Sequence, residues 1–253
     1  MTKLSVNVNK VALMRNARGG DWPSVPEAAR LCLDAGAHGI TVHPRPDQRH
    51  ITVDDVFTAA EVVAEAGAPI EYNMEGNPFS DPAGSYPGFI ELVEKARPTQ
   101  VTLVPDSVDQ VTSNHGWDLE KDGDRVRDVV SRLKASGCRV SLFMDAEPEA
   151  CAAAAATGAD RIELYTEDYA RAHERGEGAT QLRRYAAAAE AAQGAGLGVN
   201  AGHDLNLANL GDFCTIPGIL EVSIGQALVG DALMHYGLRE AVRRYLACLP
   251  VAV

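Results

Sequence analysis

No two of the five cysteines stand in a CxxC pair; Cys32, Cys138, Cys151, Cys214 and Cys248 are scattered along the 253 residues. That spacing argues against zinc and redox-pair motifs and leaves ordinary buried thiols. Cations are also short, with 23 Lys and Arg against 35 Asp and Glu, a formal charge of −12. A general nucleic-acid binder needs a basic face for backbone phosphates, so no nucleic-acid partner is expected. A small anionic ligand stays open, because a few local cations override a distant negative field. The chain has no run approaching about 18 apolar residues, the length of a membrane span. Its start, MTKLSVNVNK, has no apolar stretch of signal length, and the reading is a cytoplasmic protein without a membrane partner. The strand ends carry neither HExxH nor a paired-Asp spacing, so no metal is expected.

What is present is an alternation. Short strand-like runs recur at LSVNV (4–8), GITVH (39–43), IEYNM (70–74), QVTLV (100–104), RVSLF (139–143), RIELY (161–165), GVNAG (198–202) and EVSIG (221–225). Between them lie stretches of helical period, such as VPEAARLCLDAGA, DDVFTAAEVVAEAGA, RVRDVVSRLKASG and TQLRRYAAAAEAAQGAG. Several close on Gly, which accepts the left-handed conformation at a helix end. Strands alternating with helices pair in parallel through right-handed crossovers. Eight such units in about 250 residues predict a (β/α)8 TIM barrel, a single domain over 1–253 with no linker or repeat. The alternative, a doubly wound open sheet, usually shows a Gly-rich phosphate turn after its first strand. Here the first strand runs instead into NVNKVALMRNARGG.

In a barrel the C-terminal strand ends converge on one mouth, where the active site sits. Those ends carry Asn7 and Asn9, then His43 and Arg45, then Glu75, Glu163, His203 and Gly225. Singly, each has a structural reading: a hydrogen-bonded His, a capping carboxylate, a solvated Arg. Together they form a ring of titratable groups that costs desolvation to assemble. Imidazole titrates near neutrality and an enclosed carboxyl is pushed upward, so both suit proton transfer at pH 7. Gly225 opens the last barrel helix, where backbone N–H groups favour an anion. Arg18, Arg45 and His50 are read as further cations for phosphate oxygens. Two cationic sets suggest two phosphorylated reactants. Two long connections, 76–88 and 106–124, follow strands three and four and are candidate lids.

The strings RNARGG (15–20), HGITVHPRPDQRHI (38–51), SLFMDAE (141–147), RIELYT (161–166), VNAGHDLN (199–206) and SIGQALVG (223–230) resemble the pyridoxine 5'-phosphate synthase family, in order and over nearly the whole chain. The resemblance implies a (β/α)8 barrel with extra helices, commonly a homo-octamer built from dimers. It implies condensation of 3-amino-2-oxopropyl phosphate with 1-deoxy-D-xylulose 5-phosphate to pyridoxine 5'-phosphate, phosphate and water, with no metal or organic cofactor. The family's catalytic residues fall on His43, Glu75 and His203, and its transition-state carboxyl on Glu163. Contacts to the amino-oxopropyl phosphate fall on Asn7, Arg18, Asp204, Gly225 and Gln226. Contacts to the sugar phosphate fall on Asn9, Lys10, Arg45, His50 and Thr112. The chain departs from the pattern at Asn9-Lys10, where Asp-His is expected, at Asp204 for Gly, and at Gln226 for His. Those departures keep two rivals open: another phosphosugar isomerase or aldolase, for which Lys10 is the candidate Schiff-base lysine, and a non-catalytic phosphometabolite-binding paralogue.

Overall fold

The computed structural model describes residues 1–250. Eight parallel strands close on themselves: β1 (Lys3–Asn7), β2 (Gly39–Val42), β3 (Glu71–Gly76), β4 (Gln100–Leu103), β5 (Arg139–Met144), β6 (Arg161–Tyr165), β7 (Gly198–Gly202) and β8 (Ile219–Ile224). The barrel shuts where β1 pairs with β8, from Lys3 opposite Glu221 to Val6 opposite Ile224. Around it run α1 (Asn9–Asn16), α2 (Val25–Asp34), α3 (Val53–Ala66), α4 (Phe89–Ala96), α5 (Leu119–Ala135), α6 (Pro148–Ala153), α7 (Glu167–Glu174), α8 (Gly178–Gly194), α9 (Leu210–Phe213), α10 (Gln226–Asp231) and α11 (Leu238–Ala247). The predicted (β/α)8 barrel with extra helices is therefore the observed one, and each predicted strand lies within two residues of its observed bounds.

Successive side chains in a strand face opposite sides, and here the two sides differ sharply in polarity. Leu4, Val6, Ile40, Val42, Met74, Val101, Leu103, Val140, Leu142, Ile162, Leu164, Val199, Val222 and Ile224 form one fully buried apolar layer with the helices. The intervening residues are mostly polar and meet one another across the barrel. Ser5 bonds Thr41 at 2.7 Å, Thr102 donates to Asn73 at 3.2 Å, and Gln100 donates to Glu221 at 3.1 Å. Most barrels of this class fill their interior with branched apolar side chains. This one has its apolar core outside the barrel wall and a hydrogen-bonded polar column within it.

One boundary differs from expectation. The connection expected over 106–124 ends at Asp118, whose side chain caps α5 by accepting from the Lys121 N–H at 3.4 Å. Glu120 and Asp122 then sit in the first turn of α5, where carboxylates favour the positive end of the helix dipole. Residues 119–124 are polar because they are an exposed helix start, which sequence alone confused with a loop.

Candidate active site

A cavity of about 520 Å³ opens at the C-terminal ends of the strands. Thirteen of the fourteen residues singled out from sequence line it: Asn7, Asn9, Lys10, His43, Arg45, His50, Glu75, Thr112, Glu163, His203, Asp204, Gly225 and Gln226. Arg18 does not; it is exposed in the turn after α1. Of the two long connections, the one after β4 contributes Val111, Thr112 and Ser113 to the lining, and the 76–88 connection contributes nothing.

Glu75, next to last in β3, lies at the centre of the site. Asn7 Nδ2 donates to its Oε2 and Ser223 Oγ to its Oε1, each at 3.3 Å. Burial pushes this carboxyl up to about 7, with the Asp106 charge adding to the rise against the Ser223 bond and Arg45. It therefore exchanges its proton near neutrality, as a general acid–base requires. Below it Glu163 accepts from Thr102 Oγ1 at 3.3 Å, and burial followed by the nearby Glu75 raises it well above the usual range. Burial and the neighbouring Glu75 thus both favour the neutral form of the Glu163 carboxyl. Its room is made by Gly202, because a Cβ there would press into Glu163 Oε1. Gly225 has a similar reason: a Cβ would lie 3.0 Å from the Asn7 backbone oxygen.

His43 lies between carboxylates, its Nδ1 3.7 Å from Glu75 Oε2 and its Nε2 3.6 Å from Asp106 Oδ2. Its backbone N–H donates to Asn9 Oδ1 at 2.9 Å, and the Asn9 N–H donates to Asn7 Oδ1 at 3.0 Å. Asn7 and Asn9 thereby tie Glu75 to His43. Burial, then the Arg45 charge, lowers His43 to about 3, so the ring is neutral at pH 7. Across the mouth His203 Nε2 meets Thr112 Oγ1 at 3.0 Å, and its ring packs edge-on to Tyr165, 5.1 Å between centroids. Burial lowers its basicity as well. Its backbone φ is 89° and that of Asp204 is 54°, both in the left-handed region. The Thr166 hydroxyl, donating to the Gly202 carbonyl at 2.8 Å, and Asn209, donating to the Asp204 carbonyl at 3.2 Å, hold this turn. Such strain, of order 1–3 kcal/mol per residue, persists where its surroundings over-determine it.

The cations need correction. His50 Nδ1 accepts the Ile51 N–H at 2.9 Å, and burial, with His43 and Arg45 nearby, lowers the ring to about 3. His50 offers an N–H donor at pH 7, not a charge. Arg45 is ion-paired with Asp106 and donates to the Gln110 carbonyl at 3.3 Å. Arg15 is engaged by both Asp55 oxygens, while Asn16 Nδ2 donates to the carbonyls of Gln48, Arg49 and His50 at 3.3, 3.1 and 2.7 Å. The start of the RNARGG string therefore braces the loop after β2. Lys10 lines the cavity and has no hydrogen-bond or ion-pair partner for its ammonium among the described residues.

Two side chains at this mouth escaped sequence reasoning. Asp106, 5% exposed, follows β4 and also accepts from Ser113 Oγ at 2.9 Å. Ser223 faces inward from β8. The alternation of β8, Glu221-Val222-Ser223-Ile224, was the available signal for Ser223; Asp106 gave none beyond its place three residues after a strand. Among the described residues, no three His, Cys, Asp or Glu side chains group as metal ligands.

A family model described as pyridoxal phosphate biosynthesis protein PdxJ matches residues 4–250. The chain belongs to that family. It is 56% identical over 249 residues to the pyridoxine 5'-phosphate synthase of Xanthomonas campestris pv. campestris (strain B100), covering 98% of this chain and 96% of that protein. It is 52% identical to the pyridoxine 5'-phosphate synthase of Xylella fastidiosa (strain M23), over 98% and 95% of the two chains. Among solved structures it is similar to Mycobacterium tuberculosis tryptophan synthase, with a TM-score of 0.64 at 13% identity over 99% and 93% of the chains. Thiamine phosphate pyrophosphorylase from Pyrococcus furiosus gives 0.60 at 14% identity over 98% and 94%. At such identities the structural likeness speaks to the barrel alone.

Proposed function

We propose that this member of the PdxJ family is a pyridoxine 5'-phosphate synthase, condensing 3-amino-2-oxopropyl phosphate with 1-deoxy-D-xylulose 5-phosphate to pyridoxine 5'-phosphate, phosphate and water. The observation that carries the reading is the convergence of three titratable side chains, His43, Glu75 and His203, with the Glu163 carboxyl in one cavity. The amine of one substrate condenses with the ketone of the other to an imine, releasing water. Loss of a proton gives an enamine that expels phosphate from the sugar half. Water adds at the carbon that lost phosphate to give the hydroxymethyl group, its neighbouring carbon adds to the ketone of the amino-oxopropyl half to close the ring, and loss of two further waters makes the ring aromatic. Glu75, titrating near neutrality, takes and returns the protons of these steps. His203, fixed beside Thr112, protonates the departing group. His43, neutral and able both to donate and to accept, serves the carbonyl steps.

Arg45 and the His50 N–H face the sugar phosphate, with Lys10 supplying a charge not already paired. The strand-eight turn at Gly225-Gln226 and the backbone at Asp204 face the second phosphate. The loop after β4 covers the mouth and keeps water from the imine. Arg18, exposed on its own chain, would serve a phosphate only by moving or from a neighbouring copy. A homo-octamer accords with the exposed apolar side chains Trp22, Leu233 and Met234, and with the family. No helix among the described residues is long and apolar enough to cross a membrane, which accords with a cytoplasmic site of action. Incubating the purified protein with both substrates and following product fluorescence tests the reading. Product formation is the expected result, and its absence with both substrates present refutes it. Light scattering of the same preparation tests the octamer.

A further inference from the structure

We propose that Asp106 is a positioning residue for this reaction, holding His43 as the tautomer with hydrogen on Nε2 and its Nδ1 lone pair turned to Glu75. The inference rests on the functional reading above and extends it to a side chain outside the His43, Glu75, Glu163 and His203 set.

The geometry is that of an imidazole placed between two carboxyl groups of different character. Asp106 Oδ2 is ion-paired with Arg45, accepts the Ser113 hydroxyl at 2.9 Å and lies 3.6 Å from His43 Nε2. Glu75 Oε2 lies 3.7 Å from the other ring nitrogen, Nδ1. A neutral imidazole carries one N–H, and its place follows from what each nitrogen faces. An Arg-paired carboxylate only accepts, so the nitrogen toward Asp106 keeps the hydrogen. Nδ1 is left as an acceptor toward Glu75, the group that holds an exchangeable proton near pH 7. Transfer of the Glu75 proton to His43 needs that tautomer; in the other, Nδ1–H would face the Glu75 O–H and the Nε2 lone pair would face the Asp106 carboxylate. Both separations are slightly beyond hydrogen-bond length, as is common before substrate docks and tightens such contacts. A buried aspartate orienting a histidine by this logic recurs on unrelated folds.

Asp106 is itself held. Asn77 Nδ2 donates to its carbonyl at 2.7 Å, which ties the end of β4 to that of β3. Its second oxygen, Oδ1, is buried without a hydrogen-bond partner among the described residues. Buried polar atoms are nearly always paired, and a residue retained for packing alone would not leave one idle. The groups facing Glu75 are Asn7 from β1, His43 and Arg45 from the end of β2, Asp106 from the end of β4, Glu163 from β6 and Ser223 from β8. Within this set Asp106 is an anion that favours the protonated Glu75, while Arg45 opposes it. Neutralising Asp106 removes the first effect and releases the second, so both move Glu75 in one direction.

The test has an arm that needs no variant. Nitrogen-15 NMR of the wild-type His43 ring is expected to show the Nε2–H tautomer; an Nδ1–H tautomer overturns the proposal. In Asp106→Asn, kcat is expected to fall by about 10², the usual size of an acid–base contribution. The acid limb of its kcat/KM profile is expected to move to lower pH, and Asp106→Glu to return it towards the wild-type position. A folded Asp106→Asn enzyme with an unmoved limb and a raised KM alone overturns the proposal, reducing Asp106 to a counter-ion for Arg45. If that variant does not fold, the wild-type tautomer decides. Absence of wild-type turnover would refute the functional reading instead, with the tautomer still deciding the assignment of Asp106.

Discussion

Replacing Gly202 by alanine adds one methyl group at the end of β7, and the structure fixes what that methyl meets. Gly202 is outside the left-handed region, so alanine carries no backbone penalty there. The added Cβ would press into Glu163 Oε1 and lie 3.3 Å from both Glu163 Cδ and the Ser223 carbonyl oxygen. The strand oxygen is fixed by the barrel, so the carboxyl must yield. Glu163 can turn only by giving up its 3.3 Å bond from Thr102 or by crowding Glu75. Overpacking of this kind costs about 1–3 kcal/mol. For a chain of this size that lowers the melting temperature by roughly 2–12 °C. Turnover should drop at least about tenfold, because the displaced acid group belongs to the reacting cavity.

The assay is a double-mutant cycle read by calorimetry. In a Glu163→Ala background the side chain that the methyl strikes is gone, and Gly202→Ala should become nearly neutral. The coupling between the two sites is then expected in the range of about 1–3 kcal/mol, as for residues in direct contact. If Gly202→Ala costs the same in both backgrounds, the clash with Glu163 is not its cause and the placement of that carboxyl is wrong.

Three further outcomes are expected. Glu75→Gln and His203→Ala should each lower turnover by on the order of 10² or more, with folding intact by circular dichroism; unchanged turnover removes that residue from the mechanism. The native state holds the Glu75 proton up to about pH 7, whereas an unfolded chain releases it near the ordinary carboxyl value. Glu75 therefore contributes a fall in stability as pH rises from about 4.5 to 7. A stability profile for Glu75→Gln as steep as the wild type's would contradict the assigned value. On the proposed role of Lys10 as a binding cation and not an imine former, Lys10→Met should raise KM for the sugar phosphate far more than it lowers kcat. Borohydride trapping of substrate on Lys10 would reverse that reading.

The strands and the mouth were legible because they follow from short-range pattern. RIELY and GVNAG alternate polar with apolar residues, and the next polar residues along each chain stand at the C-terminal end by construction. The same alternation hid the polar barrel interior. Parallel strands covered on both faces normally read as continuous apolar runs, so Ser5, Thr41, Thr102 and Ser141 drew no notice. Charges at strand starts were equally opaque. Glu71, Arg139 and Glu221 meet at the closed end of the barrel, Arg139 donating to Glu71 at 2.6 Å. Charge states were least legible, because they depend on partners far away in sequence. Arg15 is spent on Asp55, forty residues on, and His50 loses its charge to burial beside His43 and Arg45.

The four departures from the family pattern fall where the structure can absorb them. Asn9 is used through its Oδ1, which accepts the His43 N–H. An aspartate would present the same acceptor, so the exchange alters local charge without loosening His43. Lys10 then replaces an imidazole with a fixed cation that has no competing partner among the described residues, making this side of the mouth more positive. Asp204 does the reverse on the opposite side. Its φ of 54° explains why glycine is expected there, and aspartate is among the residues that tolerate that region. Gln226 is exposed at the start of α10 and keeps a donor in place of an imidazole's. None of the four touches Glu75, Glu163 or the ring of His203 by a hydrogen bond. On the proposed function the changes bear on how tightly each phosphate is held, while His43, Glu75, Glu163 and His203 keep the residue types that the resemblance implies.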